Sequence, residues 1–113
     1  MKTSFGSIVS GILATLTLIA AGSGTAVAAE HLVEIRNSKF QPQVLQIKVG
    51  DTVRWINKEK RTSHSVLFSG NPSLESERLF PDESWSRRFD KVEAFSYSCG
   101  PHPEMLGIIE VTD

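Results

Sequence analysis

The sequence predicts an all-β domain, either a sandwich or a closed barrel of short strands. Three observations carry this. Short apolar–polar alternations recur along the chain after residue 29. Turn-forming residues punctuate them at about every eight to twelve positions, the spacing of strands in sandwiches and barrels. No segment sustains the 3.6-residue period of an amphipathic helix.

The elements follow in order. Leu32 to Arg36 reads as a first strand. Val44 to Val49 is a second, closed by the turn signal Gly50-Asp51. Thr52 to Asn57 places Val53 and Trp55 on one face and Arg54 on the other, as the two-residue period of a strand requires. His64 to Phe68 reads as a strand with His64, Val66 and Phe68 on one side, broken by Ser69-Gly70-Asn71-Pro72. Pro72 to Arg78 has room for one helical turn at most. Pro81-Asp82-Glu83 is a turn. Ser84 to Phe89 alternates, with Trp85 opposed to Arg88. Phe95, Tyr97 and Cys99 share one parity. Met105 to Val111 is the final strand, with Ile109 and Val111 inward. Trp55 and Trp85 are expected to pack, Tyr97 to lie beneath the site, and His31 to be a solvated terminal histidine. Lys58-Glu59-Lys60-Arg61 and Arg87-Arg88 read as solvated turns or strand edges.

Residues 1–29 differ from the rest. Lys2 gives a positive start, Ile8 to Ala21 is largely apolar, Gly22 to Thr25 interrupts it, and Ala26-Val27-Ala28-Ala29 offers small residues for cleavage. This is the pattern of a secretory signal peptide. The apolar run is too short and interrupted for a comfortable membrane span, so no stable membrane insertion is expected after cleavage. Cleavage after Ala28 or Ala29 leaves one domain, residues 30–113, of about 85 residues in an exported compartment. After Ala29 the chain carries 11 Lys plus Arg against 13 Asp plus Glu, a net charge of about −2 with interspersed signs. That excludes the basic patch nucleic-acid binding requires.

A domain this small outside the cytosol usually needs disulfides or a metal. The chain has one cysteine, Cys99, so no internal disulfide forms. Cys99 lies in Tyr97-Ser98-Cys99-Gly100-Pro101-His102-Pro103-Glu104-Met105, where a thiol, an imidazole and a thioether fall within seven residues. His64 lies upstream. Two His, one Cys and a weak Met are the donors that suit a mononuclear copper electron-transfer centre, one copper ion per chain. Gly100 is expected to let the chain turn sharply, and Pro101 and Pro103 to stiffen the approach to His102 and its exit. Zinc is the competing metal, since it takes Cys and His readily but gains little from a thioether. An iron–sulfur cluster needs more ligands, and a c-type haem needs a C-x-x-C-H motif that is absent. An enzymatic role is not expected, because the chain has no second cluster of reactive residues. Copper delivery without electron shuttling is the alternative function. A delivery site favours open, Met- and His-rich ligands, and this chain has one methionine beyond Met1.

Tyr97 to Val111 resembles the copper-binding loop and last strand of the cupredoxins, especially the amicyanin-like subgroup. Two residues separate Cys99 from His102, and two more separate His102 from Met105. This resembles the short loop of that subgroup rather than the longer loop of plastocyanin. Gly50 to Asn57, His64-Ser65-Val66 and Pro81 to Ser86 resemble further family segments. The resemblance implies a Greek-key β-sandwich of about eight strands. It also implies the ligands His64, Cys99, His102 and Met105, and periplasmic one-electron transfer with transient partners such as a c-type cytochrome or a periplasmic dehydrogenase. Family members often carry Pro-His-Asn around the first ligand, the Asn tying the two ligand loops together. Here the triplet is Ser63-His64-Ser65, from which Ser65 can make a shorter bond of that kind, helped in some members by a residue at the place of Asn57.

Overall fold

The computed structural model describes residues 27–71 and 74–113; the apolar leader proposed for residues 1–29 lies outside them except for its last three residues. Among the described residues, eight strands form two four-stranded sheets, a β-sandwich with the cupredoxin architecture. The strands are β1 (Glu30–Arg36), β2 (Lys39–Gln41), β3 (Val44–Lys48), β4 (Thr52–Asn57), β5 (Leu67–Phe68), β6 (Ser84–Arg88), β7 (Ala94–Ser98) and β8 (Leu106–Thr112). One sheet has the order β2-β1-β4-β6, the other β3-β8-β7-β5.

Neighbours in each sheet are seldom neighbours in sequence. β1 pairs parallel with β4, Val33 opposite Trp55, and β3 pairs parallel with β8, Ile47 opposite Val111. Parallel pairs cannot be closed by a hairpin, so the chain crosses between sheets. β7 and β8 form the antiparallel pair that flanks the Cys99–Met105 loop, with Ser98 opposite Leu106.

Alternation fixes which side of each strand is inside. Val33 and Ile35 of β1, Val53 and Trp55 of β4, Tyr97 of β7, and Ile109 and Val111 of β8 are buried. Between the sheets, Tyr97 packs edge-on against Phe40 at 4.7 Å and Trp55 at 5.4 Å between ring centroids; within one sheet, Trp55 lies 5.5 Å from its cross-strand partner Trp85. Such aromatic pairs add about 0.5–1.5 kcal/mol each beyond their burial. Burial pushes the Tyr97 phenol up to about 12.

Several expectations need correction. The segment expected to be a strand from His64 to Phe68 is a strand only at Leu67–Phe68. His64 forms an isolated bridge with Leu79, and the amide of Val66 donates to Ser76 Oγ at 2.9 Å instead of to a neighbouring strand. β2 is a strand the alternation did not reveal. It has three residues and follows a turn with Asn37 and Ser38 both at positive φ. The described residues of 72–78 form no helical turn, within the limit of one turn expected. Arg87 lies on the edge strand β6, as expected, but is not simply solvated: its guanidinium stacks at 4.4 Å over Phe68 and 4.6 Å over Phe89. His31 is not simply solvated, because its Nε2 lies 2.9 Å from Asp51 Oδ2.

Candidate metal centre

The site is assembled where the loop after β4 meets the loop between β7 and β8. Asn57, at the end of β4 and fully buried, organises the first loop. Its side-chain amide donates to Thr62 O at 2.8 Å and Leu79 O at 2.9 Å, and its Oδ1 accepts from Glu59 N at 2.8 Å. His64 then exchanges two backbone bonds with Leu79, at 3.0 and 2.7 Å. Its backbone is thereby pinned and its ring is fully buried.

The second loop is closed on itself. Cys99 N donates to Met105 O at 3.1 Å, His102 N to Cys99 O at 3.2 Å, and Met105 N to His102 O at 2.9 Å. Cys99 continues the inward parity of Tyr97, so its sulfur meets His64 inside the domain.

Cys99 Sγ lies 3.5 Å from His64 Nδ1 and 3.6 Å from His102 Nδ1. The three donor atoms are all within 4.8 Å of one another. The imidazole rings are 4.9 Å apart and inclined at 52°. His64 and Cys99 are completely buried and His102 is partly exposed. A soft thiolate and two imidazoles at this separation, two of them shielded from water, fit a mononuclear copper ion. The sequence expectation of a His64–Cys99–His102 cluster is met. Met105 closes the same loop and is 4% exposed.

Surrounding groups set the electrostatics. Burial raises the Cys99 thiol above its ordinary range, opposed in part by the backbone N–H of Ser65, whose nitrogen is 3.4 Å from the sulfur. Burial lowers the pKa of His64, opposed by Glu59, whose Oε1 is 3.3 Å from Nε2. Glu59 was read as part of a solvated basic turn. Its carboxylate is instead only 18% exposed and turned toward the ligand histidine. Nothing in the sequence separates Glu59 from its charged neighbours, because its role depends on how Asn57 folds the loop.

The chain bends at Gly100, as expected. It has no positive φ. What crowds it is side chains: a methyl group built on it would collide with Glu75 Oε2 and lie 2.6 Å from Ser65 Oγ, so a side chain there would displace the Glu75 carboxylate.

The family of copper binding proteins that includes plastocyanin and azurin matches residues 27–112. The chain belongs to that family. This cupredoxin is 33% identical over 116 residues to amicyanin-alpha of Methylorubrum extorquens, covering 96% of each chain. It is 34% identical over 84 residues to amicyanin of Paracoccus denitrificans, over 71% of this chain, and spans 63% of that relative's length. Among solved structures it is similar to a reduced Cu(I) form of an amicyanin variant, with TM-score 0.68 and 32% identity over 81% of this chain and 89% of the other. It also resembles a copper-containing nitrite reductase from Thermus scotoductus, with TM-score 0.70 and 27% identity over 83% of this chain but 26% of that enzyme. His64, Cys99 and His102 form the cupredoxin-type copper site of this chain.

Proposed function

We propose that this cupredoxin is an exported, periplasmic one-electron carrier and not an enzyme, with residues 30–113 as its working domain. The observation that carries the reading is the buried Cys99 sulfur within 3.6 Å of two imidazole nitrogens, one from its own loop and one from His64, 35 residues upstream of it in sequence. Copper supplies the one-electron change between Cu(I) and Cu(II). The chain supplies a donor set held by backbone bonds, so that little has to move between the two states. Met105 is the fourth, weaker ligand in this reading; its burial and its position at the end of the closed loop support that role. Complete burial of His64 and Cys99 weighs against a site built to hand its metal on.

Electrons leave and enter through His102, the ligand with solvent exposure. Around it Pro101, Pro103 and Glu104 are exposed, as is Leu106 at 57%. A small, mostly apolar surface suits a transient redox encounter that buries little area. The partner is a redox protein of the c-type cytochrome or periplasmic dehydrogenase class, and Glu104 favours a basic partner face. Glu104→Gln should weaken the ionic-strength dependence of transfer to a basic cytochrome, and an unchanged dependence would remove Glu104 from the recognition surface.

The deciding experiment is visible absorption of the copper-loaded protein. An intense thiolate-to-copper band, bleached by mild reduction and absent from Cys99→Ser, is expected. A colourless protein holding zinc tightly would overturn the assignment. Reversible voltammetry separates a shuttle from a delivery protein, and Met105→Leu should shift the potential if the thioether is a ligand.

A further inference from the structure

A carboxylate outside the ligand set ties the two ligand loops together. The Ser65 hydroxyl donates to Glu75 Oε2 at 2.6 Å. Ser65 Oγ in turn accepts the backbone N–H of Gly100 at 3.0 Å. Ser65 follows the ligand His64 and Gly100 follows the ligand Cys99. One hydroxyl therefore bridges the backbones of two loops 35 residues apart, and the carboxylate fixes which way that hydroxyl points. With its hydrogen committed to Glu75, the oxygen can only accept toward Gly100. A charged acceptor at 2.6 Å is among the strong hydrogen bonds.

Glu75 is held in place for this. Its segment lies along the chain that leaves His64: Phe68 N donates to Leu74 O at 3.1 Å, Ser76 N donates to Val66 O at 2.9 Å, and Glu75 bridges Leu67. The same arrangement leaves Glu75 Oε2 and Ser65 Oγ in the volume a Cβ on Gly100 would take.

We propose that Glu75 is a positioning residue for the copper centre. It acts through Ser65 to hold the Gly100 amide, and with it the Cys99 sulfur, against the His64 loop. The proposal rests on the copper reading for its consequence but not for its geometry, which is a property of the loops alone.

The test uses the whole protein with three variants: Glu75→Ala, Ser65→Ala and the double substitution. In the metal-free protein, amide hydrogen exchange at Gly100 should accelerate about tenfold or more in Glu75→Ala, with exchange at Val53 and Trp55 unchanged to show an intact sandwich. In the loaded protein, release of Zn(II) or Cu(II) to a chelator should speed up about tenfold, the lower end of what lost supporting bonds cost a metal site. The Cu(II) electron paramagnetic resonance hyperfine splitting should change as well. Glu75→Gln, which keeps an acceptor oxygen, should recover part of each effect. Because the two side chains act in series, the double variant should be no worse than Ser65→Ala alone. Wild-type Gly100 exchange and metal release in Glu75→Ala, or fully additive effects of the two substitutions, would overturn the proposal. The metal-free exchange reads the clamp even in a protein that never turns blue, so its failure is distinguishable from failure of the copper assignment.

Discussion

His64 Nε2 lies 3.3 Å from Glu59 Oε1, on the side of the ring opposite the Cys99 sulfur. With Nδ1 turned to the metal position, Nε2 must carry the proton and donate it to the carboxylate. Glu59 Oε1 is itself fixed by the backbone N–H of Ser38 at 2.7 Å. A carboxylate behind a ligand imidazole makes the ring a better donor and favours the more highly charged metal state. Glu59→Gln should therefore weaken Cu(II) binding more than Cu(I) binding. A selective loss of about tenfold raises the reduction potential by about 60 mV. Voltammetry of the two proteins checks the sign, and a lowered potential would contradict it.

Metal uptake should depend on pH through Cys99. Burial holds the thiol above its ordinary range, so at neutral pH the metal-free protein keeps its proton. Burial lowers the pKa of His64 from 6.5, so that ring is neutral there and gives up no proton on binding. Binding displaces the thiol proton, and affinity rises as pH rises. Competitive chelator titration with Zn(II), a redox-silent probe, should show about a tenfold gain per pH unit between about pH 7 and pH 8. The gain should vanish in Cys99→Ser.

How much of this was readable from the chain varies by element. Val53, Trp55, Tyr97, Ile109 and Val111 are buried as their alternation requires, because each lies in a strand with one wet face. The ligand triad was legible because Cys99 and His102 are three residues apart and His64 begins an apolar alternation. The partners of the ligands were not. Glu59 and Glu75 sit in charged stretches whose residues look alike until backbone bonds choose one carboxylate. Asn57 turns Glu59 inward, and the strap along Val66–Phe68 turns Glu75 toward Ser65. Arg87 was misread because a charge normally marks a wet face, whereas a guanidinium also stacks on aromatic rings.

Gly107 marks a close contact that can be tested by stability alone. In β8 it faces Tyr97 across the β7–β8 pair. A methyl group added there would collide with Tyr97 Cζ and lie 2.8 Å from Cε2. The ring has no free direction, since Phe40 and Trp55 flank it. Gly107→Ala should destabilise the domain by about 1–3 kcal/mol, the range for overpacking a filled core. Denaturant unfolding of the metal-free protein measures this. Trimming the ring in Gly107→Ala with Tyr97→Leu should recover part of the loss.

Asp51 ties the start of the domain to the turn after β3. Its Oδ1 accepts from Ala29 N at 2.9 Å, while Oδ2 accepts from Lys48 N at 3.0 Å and lies 2.9 Å from His31 Nε2. The Ala29 bond first, then His31 and Lys48, lower the carboxyl to about 2. Ala29 also accepts from Thr52 N through its carbonyl, at 3.0 Å, so the residue just before the 30–113 domain is bonded to it. Were the leader proposed for residues 1–29 removed after Ala28, Ala29 would stay and its N–H would become an ammonium beside Asp51; removal after Ala29 would take both bonds away. Intact-mass measurement of the exported protein should find Ala29 as the first residue. The folded carboxyl titrates below its unfolded value of 3.8, so its contribution to stability is complete above about pH 4 and lost as pH falls toward about 2. Asp51→Asn should therefore destabilise the processed protein at neutral pH and flatten its acid unfolding profile in that window. An unaltered profile would mean the terminus is not held by this carboxylate.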